Sequence, residues 1–335
     1  MNARREKVCV LGGGIWGTAL ANHLAGKGRP VVLWEYFAAL AARLERTRRH
    51  PHIPDLRILP PVRVVSDLEE AVRDAGVLLV VLPSTAVRAT MRRLRPLVGA
   101  VPPRPIVVNA SKGVERGSLR TMGEVLHEEL PHLEGRIFTL SGPSFAREVA
   151  RGVPTRMVLA GPPVPAAREV RRLLEGGTVR VVPSDDQIGV ELAGSLKNVV
   201  AIGAGILDGL RLGANTKAAL MTQGVAEMGQ LVERLGGRRE TIYGLCGLGD
   251  LIATGTSQES RNRGLGERLG RGRSLRRALA EIDMVVEGVE SAQSALELLH
   301  SCGFKAPLLE AVWGVVHGGR PPKTVVEALG FSTER

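Results

Sequence analysis

The chain has 335 residues, 44% of them hydrophobic and only 3% aromatic. At ~150 residues per domain that length suits two globular domains with cores of Val, Leu, Ile and Ala. Its 45 basic residues outnumber the 34 acidic ones. However, the arginines are scattered (Arg43, Arg92, Arg171, Arg238, Arg276) and aromatic side chains to stack bases are nearly absent. These features favour basic residues spread over the surface over nucleic-acid binding, and a small phosphorylated molecule is compatible with either.

Met1–Lys7 is too short and too charged for a signal peptide. The first half then alternates short β-branched runs with helical spacing. Strands are expected at Val8–Leu11, Val31–Trp34, Val77–Leu82, Ile106–Asn109, Ile137–Leu140, Met157–Ala160 and Val179–Val182. Helices are expected between them at Thr18–Lys27 and Thr85–Leu97. Several of the runs are apolar throughout, as in strands covered by helices on both faces of a parallel sheet. The pattern predicts an α/β domain, a Rossmann-type doubly wound sheet over residues 1–186. From residue 187 to 335 no convincing strand remains. Helices are expected at Ile188–Ile206, Thr216–Leu235, Ser260–Leu269, Ser291–Cys302 and Leu308–His317, separated by glycine-containing breaks, so the second domain should be all-helical.

No run reaches the ~20 uninterrupted apolar residues of a membrane span. The best stretch, Ile188–Leu207, contains Glu191 and Lys197. Cys9, Cys246 and Cys302 are far apart and form no C-x-x-C pair, which argues against zinc and disulfides and suits a reducing cytoplasm. No His/Cys cluster offers another metal.

The strand Val8–Leu11 runs into Gly12-Gly13-Gly14-Ile15-Trp16-Gly17 and then a helix, the context that makes G-x-G-x-x-G informative. Gly12 suits the tight turn, Gly14 the approach of a pyrophosphate, and Gly17 the packing of helix on strand. The helix N-terminus offers free N–H groups to phosphates. Glu35, at the end of the second expected strand, can accept hydrogen bonds from an adenosine ribose and repels a 2′-phosphate. The loops Asn109–Gly113 and Ser141–Ala146 follow buried strands, where ligands of open α/β sheets bind. Lys197, alone in an apolar helix, either snorkels or is buried as an acid–base group with a lowered pKa. Arg261 has the planar fork that matches phosphate, flanked by Ser260 and Asn262; Ser260-Arg261 also reads as an ordinary helix start.

Together Gly12–Gly17, Ser111-Lys112-Gly113, Ser141–Ala146, Lys197-Asn198-Val199, Gly213-Ala214-Asn215, Gly247–Asp250, Ser260-Arg261-Asn262 and Val285–Gly288 resemble the bacterial branch of the NAD(P)-dependent glycerol-3-phosphate dehydrogenases over roughly residues 7 to 330. The resemblance implies reversible hydride transfer between NAD or NADP and dihydroxyacetone phosphate, giving sn-glycerol 3-phosphate for phospholipid synthesis. It makes Lys197 the proton acceptor, with Lys112 and Asp250 beside it in catalysis. It implies substrate contacts at Lys112, Gly142, Ser144, Lys197, Asn198, Asp250, Ser260, Arg261 and Asn262. It implies cofactor contacts at Ile15, Trp16, Lys112, Ala146, Arg261, Val285 and Glu287, to which the glycine motif adds Gly12, Gly14 and Gly17 and the end of the second strand adds Glu35 and Tyr36. Glu35-Tyr36 stands where many members carry Arg or His, and Gln223 where many carry Arg. The reading admits a homodimer. Two competitors are a hydroxyacyl or hydroxy-acid dehydrogenase on the same plan and a dinucleotide-sensing regulator.

Overall fold

The computed structural model describes residues 7–99, 104–282 and 284–332; residues 1–6, where the signal-peptide argument falls, lie outside them. The chain separates into two compact units. One comprises residues 1–111 and 122–187, and the other comprises 112–121 and 188–335.

The first unit is built on an eight-stranded sheet. Its strands are β1 (Val8–Leu11), β2 (Val31–Trp34), β5 (Val62–Val65), β6 (Val77–Val80), β7 (Ile106–Asn109), β8 (Ile137–Ser141), β9 (Thr155–Ala160) and β10 (Val179–Ser184), in the order β10-β9-β8-β7-β6-β1-β2-β5. All neighbours are parallel except β8 and β9, which run antiparallel. A separate two-stranded ribbon pairs β3 (Arg49–His50) with β4 (Ile53–Arg57). Side chains alternate between faces along each strand, so the sheet sits between two cores. Val8 and Val10 join Leu20 and Leu24 of α1 (Ile15–Gly26) on one face. Cys9 and Leu11 join Val87, Met91 and Leu94 of α4 (Ser84–Leu94) on the other. Burial on both faces is why these strands read as continuous apolar runs.

The second unit is helical from residue 188 onward. Its main members are α8 (Gln187–Gly209), α9 (Ala214–Arg234), α10 (Asp250–Thr256), α11 (Arg261–Gly270), α13 (Glu287–Ser301), α14 (Pro307–Val316) and α15 (Thr324–Glu327). By length and composition α8 could cross a membrane, but its apolar stretch is wholly buried inside the protein. α8 packs backbone to backbone on α11: a Cβ on Gly205 would lie 2.0 Å from the Arg263 carbonyl oxygen, and one on Gly266 2.0 Å from that of Ile202. Such contact needs residues without side chains, and it sets Asn198 of α8 beside Asn262 of α11. Residues 112–121, which the simple division at 186 assigns to the sheet domain, cluster with this unit. Val114 bridges Thr121, and the Ser294 hydroxyl of α13 donates to the Val114 carbonyl at 3.0 Å.

Candidate active site

In the first unit the β1–α1 turn has the shape a dinucleotide needs. Gly12 has φ +123°, and a Cβ there would sit 2.3 Å from the Val81 carbonyl oxygen. A Cβ on Gly17 would sit 1.9 Å from the Gly12 oxygen, whereas one on Gly14 would meet nothing within 4 Å. The turn is therefore closed at Gly12 and Gly17 and open at Gly14, where a pyrophosphate could meet the N-terminus of α1. Ile15 and Trp16, the first residues of α1, are half-buried. Glu35 follows β2 and is buried; its Oε1 accepts from the Phe37 N–H at 2.9 Å, and its Oε2 lies 2.6 Å from where a Gly13 Cβ would be. The carboxylate is thus packed against the glycine turn rather than solvated.

His50, which sequence reasoning missed, hydrogen-bonds to the Gly13 backbone. Burial first, and then His52, push its pKa down to about 4 against that bond, so it is neutral at physiological pH. No pattern in the sequence announces it, because it reaches the turn from the separate ribbon. Gly142, Ser144 and Ala146 lie in this unit, at the end of β8 and the start of the short helix α6 (Ala146–Ala150). Ser144 donates to the Gly142 carbonyl at 3.0 Å. Among the described residues the buried Ser141 hydroxyl beside them has no partner.

The second unit brings Lys112, Lys197 and Asp250 together. Asp250 opens α10 after a π-helical turn at Leu245–Gly249, a deformation frequent at functional sites. Its Oδ2 accepts from Lys112 Nζ at 2.6 Å and its Oδ1 from Lys197 Nζ at 3.0 Å. Lys197 is buried, so it does not snorkel. Thr254, four residues along α10, completes the cluster, accepting from Lys197 Nζ at 2.7 Å and donating to Asp250 Oδ1 at 3.1 Å. Thr254 too was missed, although the i, i+4 spacing from Asp250 sets the two on one helix face. Burial pushes the Lys197 pKa down from 10.5 to about 8, with Asp250 opposing and Lys112 adding to the drop. Lys112 moves the other way: burial lowers it, but Asp250 outweighs burial and holds it above its ordinary value. Asp250 is held below the usual carboxylate range, because the two ammonium groups outweigh its own burial. Glu287, the first residue of α13, favours the charged form of both lysines.

Around Ser260–Asn262 the structure makes a second arrangement. The Ser260 oxygen caps α11 by accepting from the Arg263 N–H at 3.1 Å, the bland reading of that residue. The first amides of a helix lack intrahelical partners, and exposed Arg261 stands at that end, one guanidinium N–H on the Val285 carbonyl at 2.7 Å. Asn262 is committed on both atoms of its amide: Nδ2 donates to Asn198 Oδ1 at 2.8 Å, and Oδ1 accepts from the Gly288 N–H at 2.9 Å.

Residues 7–166 match the family model of the NAD-dependent glycerol-3-phosphate dehydrogenase N-terminus, and residues 186–327 that of the C-terminus of the same enzyme. The glycerol-3-phosphate dehydrogenase of Geobacter sulfurreducens, named for both NAD and NADP, is 43% identical over 326 residues, 97% of this chain and 96% of the relative. That of Moorella thermoacetica is 44% identical over the same shares. The crystal structure of glycerol-3-phosphate dehydrogenase from Coxiella burnetii superposes with a TM-score of 0.92 at 36% identity, covering 98% of this chain and 100% of that one. These matches set aside the hydroxyacyl-dehydrogenase and sensor readings, and the chain belongs to the NAD-dependent glycerol-3-phosphate dehydrogenase family.

Proposed function

We propose that the chain interconverts dihydroxyacetone phosphate and sn-glycerol 3-phosphate with NAD or NADP, supplying the glycerol phosphate of phospholipid synthesis. The observation that carries the reading is the Lys112–Asp250–Lys197 cluster, in which one carboxylate holds two lysines of opposite pKa displacement. The glycine turn would hold the pyrophosphate of a bound nicotinamide dinucleotide, which in its reduced form would supply the hydride for the substrate carbonyl carbon. As that carbon is reduced, negative charge builds on its oxygen. Lys197, as the ammonium, donates the proton that quenches it, and in the reverse direction the neutral amine takes the proton from the alcohol. Lys112 stays charged and adds positive potential at the same oxygen. Asp250 orients both ammonium groups, and Thr254 gives Lys197 a second acceptor.

Arg261, the free amides at the start of α11 and the remaining Ser260 O–H form an anion site for the substrate phosphate. Asn262 and Asn198, joined by their mutual hydrogen bond, are assigned to the substrate beside that end of α11. Gly142 and Ser144 are assigned to the substrate. Ile15, Trp16, Glu35, Tyr36, Ala146, Val285 and Glu287 are assigned to the cofactor. The domain division at 186/187 stands in this reading for the cofactor and substrate halves. The three free cysteines accord with a cytoplasmic enzyme.

The test is a steady-state assay of reduced-nicotinamide absorbance with dihydroxyacetone phosphate and with dihydroxyacetone, each with NADH and NADPH. Turnover that requires the phosphorylated substrate is expected. Equal turnover of both substrates would refute the phosphate site, and absence of turnover the activity.

A further inference from the structure

The residues after β2 are unusual for this protein. Aromatics are 3% of the sequence, yet Tyr36 and Phe37 are adjacent and 59% and 65% exposed. Their rings meet edge to face at 5.2 Å. Arg93 of α4, itself exposed, lays its guanidinium 5.7 Å from the centroid of the Tyr36 ring and 6.0 Å from that of buried Trp34. Among the described residues Arg93 has no carboxylate partner. Neighbouring Glu35 does not supply one, because its Oε1 is taken by the Phe37 N–H and its Oε2 is packed against Gly13.

The end of β2 is where a bound dinucleotide presents its adenosine ribose. A carboxylate there suits a free 2′-hydroxyl and repels a 2′-phosphate, which requires a cation close by. Neither Glu35 nor Tyr36 is a cation. The unpaired positive charge at this end of β2 comes instead from another helix, one ring away. The guanidinium is planar, always charged and matched to phosphate oxygens. Its contact with an exposed ring is weak and gives way to a phosphate at little cost.

We propose that Arg93 is the residue that admits the 2′-phosphate of NADP, so that Glu35 serves NAD and Arg93 serves NADP. The inference rests on the reading of the glycine turn as the dinucleotide site, and its test separates the two. The full-length chain and its Arg93→Gln and Arg93→Lys variants are titrated calorimetrically with adenosine 2′,5′-bisphosphate and with adenosine 5′-monophosphate. These probes need no substrate and no turnover.

Loss of one charge-assisted hydrogen-bonding partner should weaken bisphosphate binding by about tenfold to a hundredfold. The monophosphate should change less than twofold, and Arg93→Lys should recover part of the loss. With turnover, kcat/KM for NADPH should fall by a similar factor while that for NADH holds within twofold. Arg93 is exposed, so the melting temperature should not move. An equal loss for both probes would overturn the proposal, since Arg93 would then be shaping the aromatic platform for any adenosine. Unchanged bisphosphate binding would overturn it as well, as would a wild-type chain that binds neither nucleotide. Intact, Arg93-dependent bisphosphate binding without reduction of dihydroxyacetone phosphate would support the proposal while refuting the proposed reaction.

Discussion

Lys197→Met removes the ammonium and keeps an unbranched side chain of similar reach. The structure lets the consequences be separated. Asp250 would retain Lys112 at 2.6 Å and the Thr254 hydroxyl at 3.1 Å, so no buried carboxylate is stranded. Burial, opposed by Asp250 and reinforced by Lys112, lowers the Lys197 pKa from 10.5 to about 8. A drop of that size corresponds to about 3 kcal/mol held against the ammonium at neutral pH. The variant should therefore melt at the wild-type temperature or higher.

The pH dependence follows from the same shift. Between about 8 and 10.5 the unfolded chain binds a proton that the native state has released, so wild-type stability rises with pH across that window. The variant should lack that rise. Activity should behave oppositely to stability: kcat should fall at least ~10²-fold, the scale of a positioned acid. In the wild type, reduction of dihydroxyacetone phosphate should decline above about pH 8 as Lys197 loses its proton, while oxidation of glycerol phosphate gains. NADH affinity, measured by fluorescence titration, should hold within about twofold, since the glycine turn bears on the pyrophosphate independently of this side chain. Near-normal turnover together with a normal melt would refute the assignment and make Lys112 the acid.

Three other substitutions test separate parts of the reading. Glu35→Arg should invert the ratio of kcat/KM for NADH and NADPH, measured side by side; an unchanged ratio would mean that the carboxylate on Gly13 does not read the ribose. Arg261→Leu should raise KM for dihydroxyacetone phosphate by about tenfold to a hundredfold and alter turnover of dihydroxyacetone far less, whereas equal losses would place Arg261 with the cofactor or the fold. Gln223 donates to Glu227 Oε1 at 2.9 Å and to the Ala328 carbonyl at 3.1 Å, and Glu227 in turn accepts the Leu308 and Leu309 N–H groups at the start of α14. Burial raises the Glu227 pKa against those bonds, so Gln223→Arg should supply the missing charge. If the pair is worth about 1 kcal/mol, calorimetry should show a gain of about 2–4 °C with kcat unchanged, and a loss would show that the guanidinium does not fit.

The sheet was legible because its central strands are covered on both faces: Val8–Leu11, Val31–Trp34 and Ile106–Asn109 were expected and found with the same bounds. Of the two edge strands, β10 was expected at Val179–Val182 and found there, but β5 was not legible. β5, Val62-Arg63-Val64-Val65, exposes one side chain and reads as an ordinary loop. The antiparallel β8–β9 pair was missed because strand direction depends on the connection and not on the residues of the strand. The excursion of residues 112–121 was equally hidden: the groups that hold it to the helical unit, Asp250 on Lys112 and the Ser294 hydroxyl on the Val114 carbonyl, lie 138 and 180 positions away. In the site, Lys197 stood out as a charge in an apolar helix. Its partner Asp250, 53 positions on, had to be brought by the fold of α10 against α8.

The two lysines show why one carboxylate can serve two roles. Lys112 is less buried, with 19% of its side chain exposed against 6% for Lys197, and makes the shorter contact with Asp250. It loses less hydration and gains more attraction, so it stays charged. Lys197 lies deeper, shares the Oδ1 side of Asp250 with the Thr254 hydroxyl and is repelled by Lys112, so its proton is the one that can leave near neutral pH. Environments that drive two like groups apart in pKa divide the chemistry between a transferable proton and a fixed charge. Replacing Asp250 by Asn would remove the force that separates them: both ammonium groups would face desolvation and each other with only the weaker pull of Glu287 to offset it. Substitution at Asp250 should therefore harm stability as well as turnover, whereas substitution at Lys197 harms turnover alone.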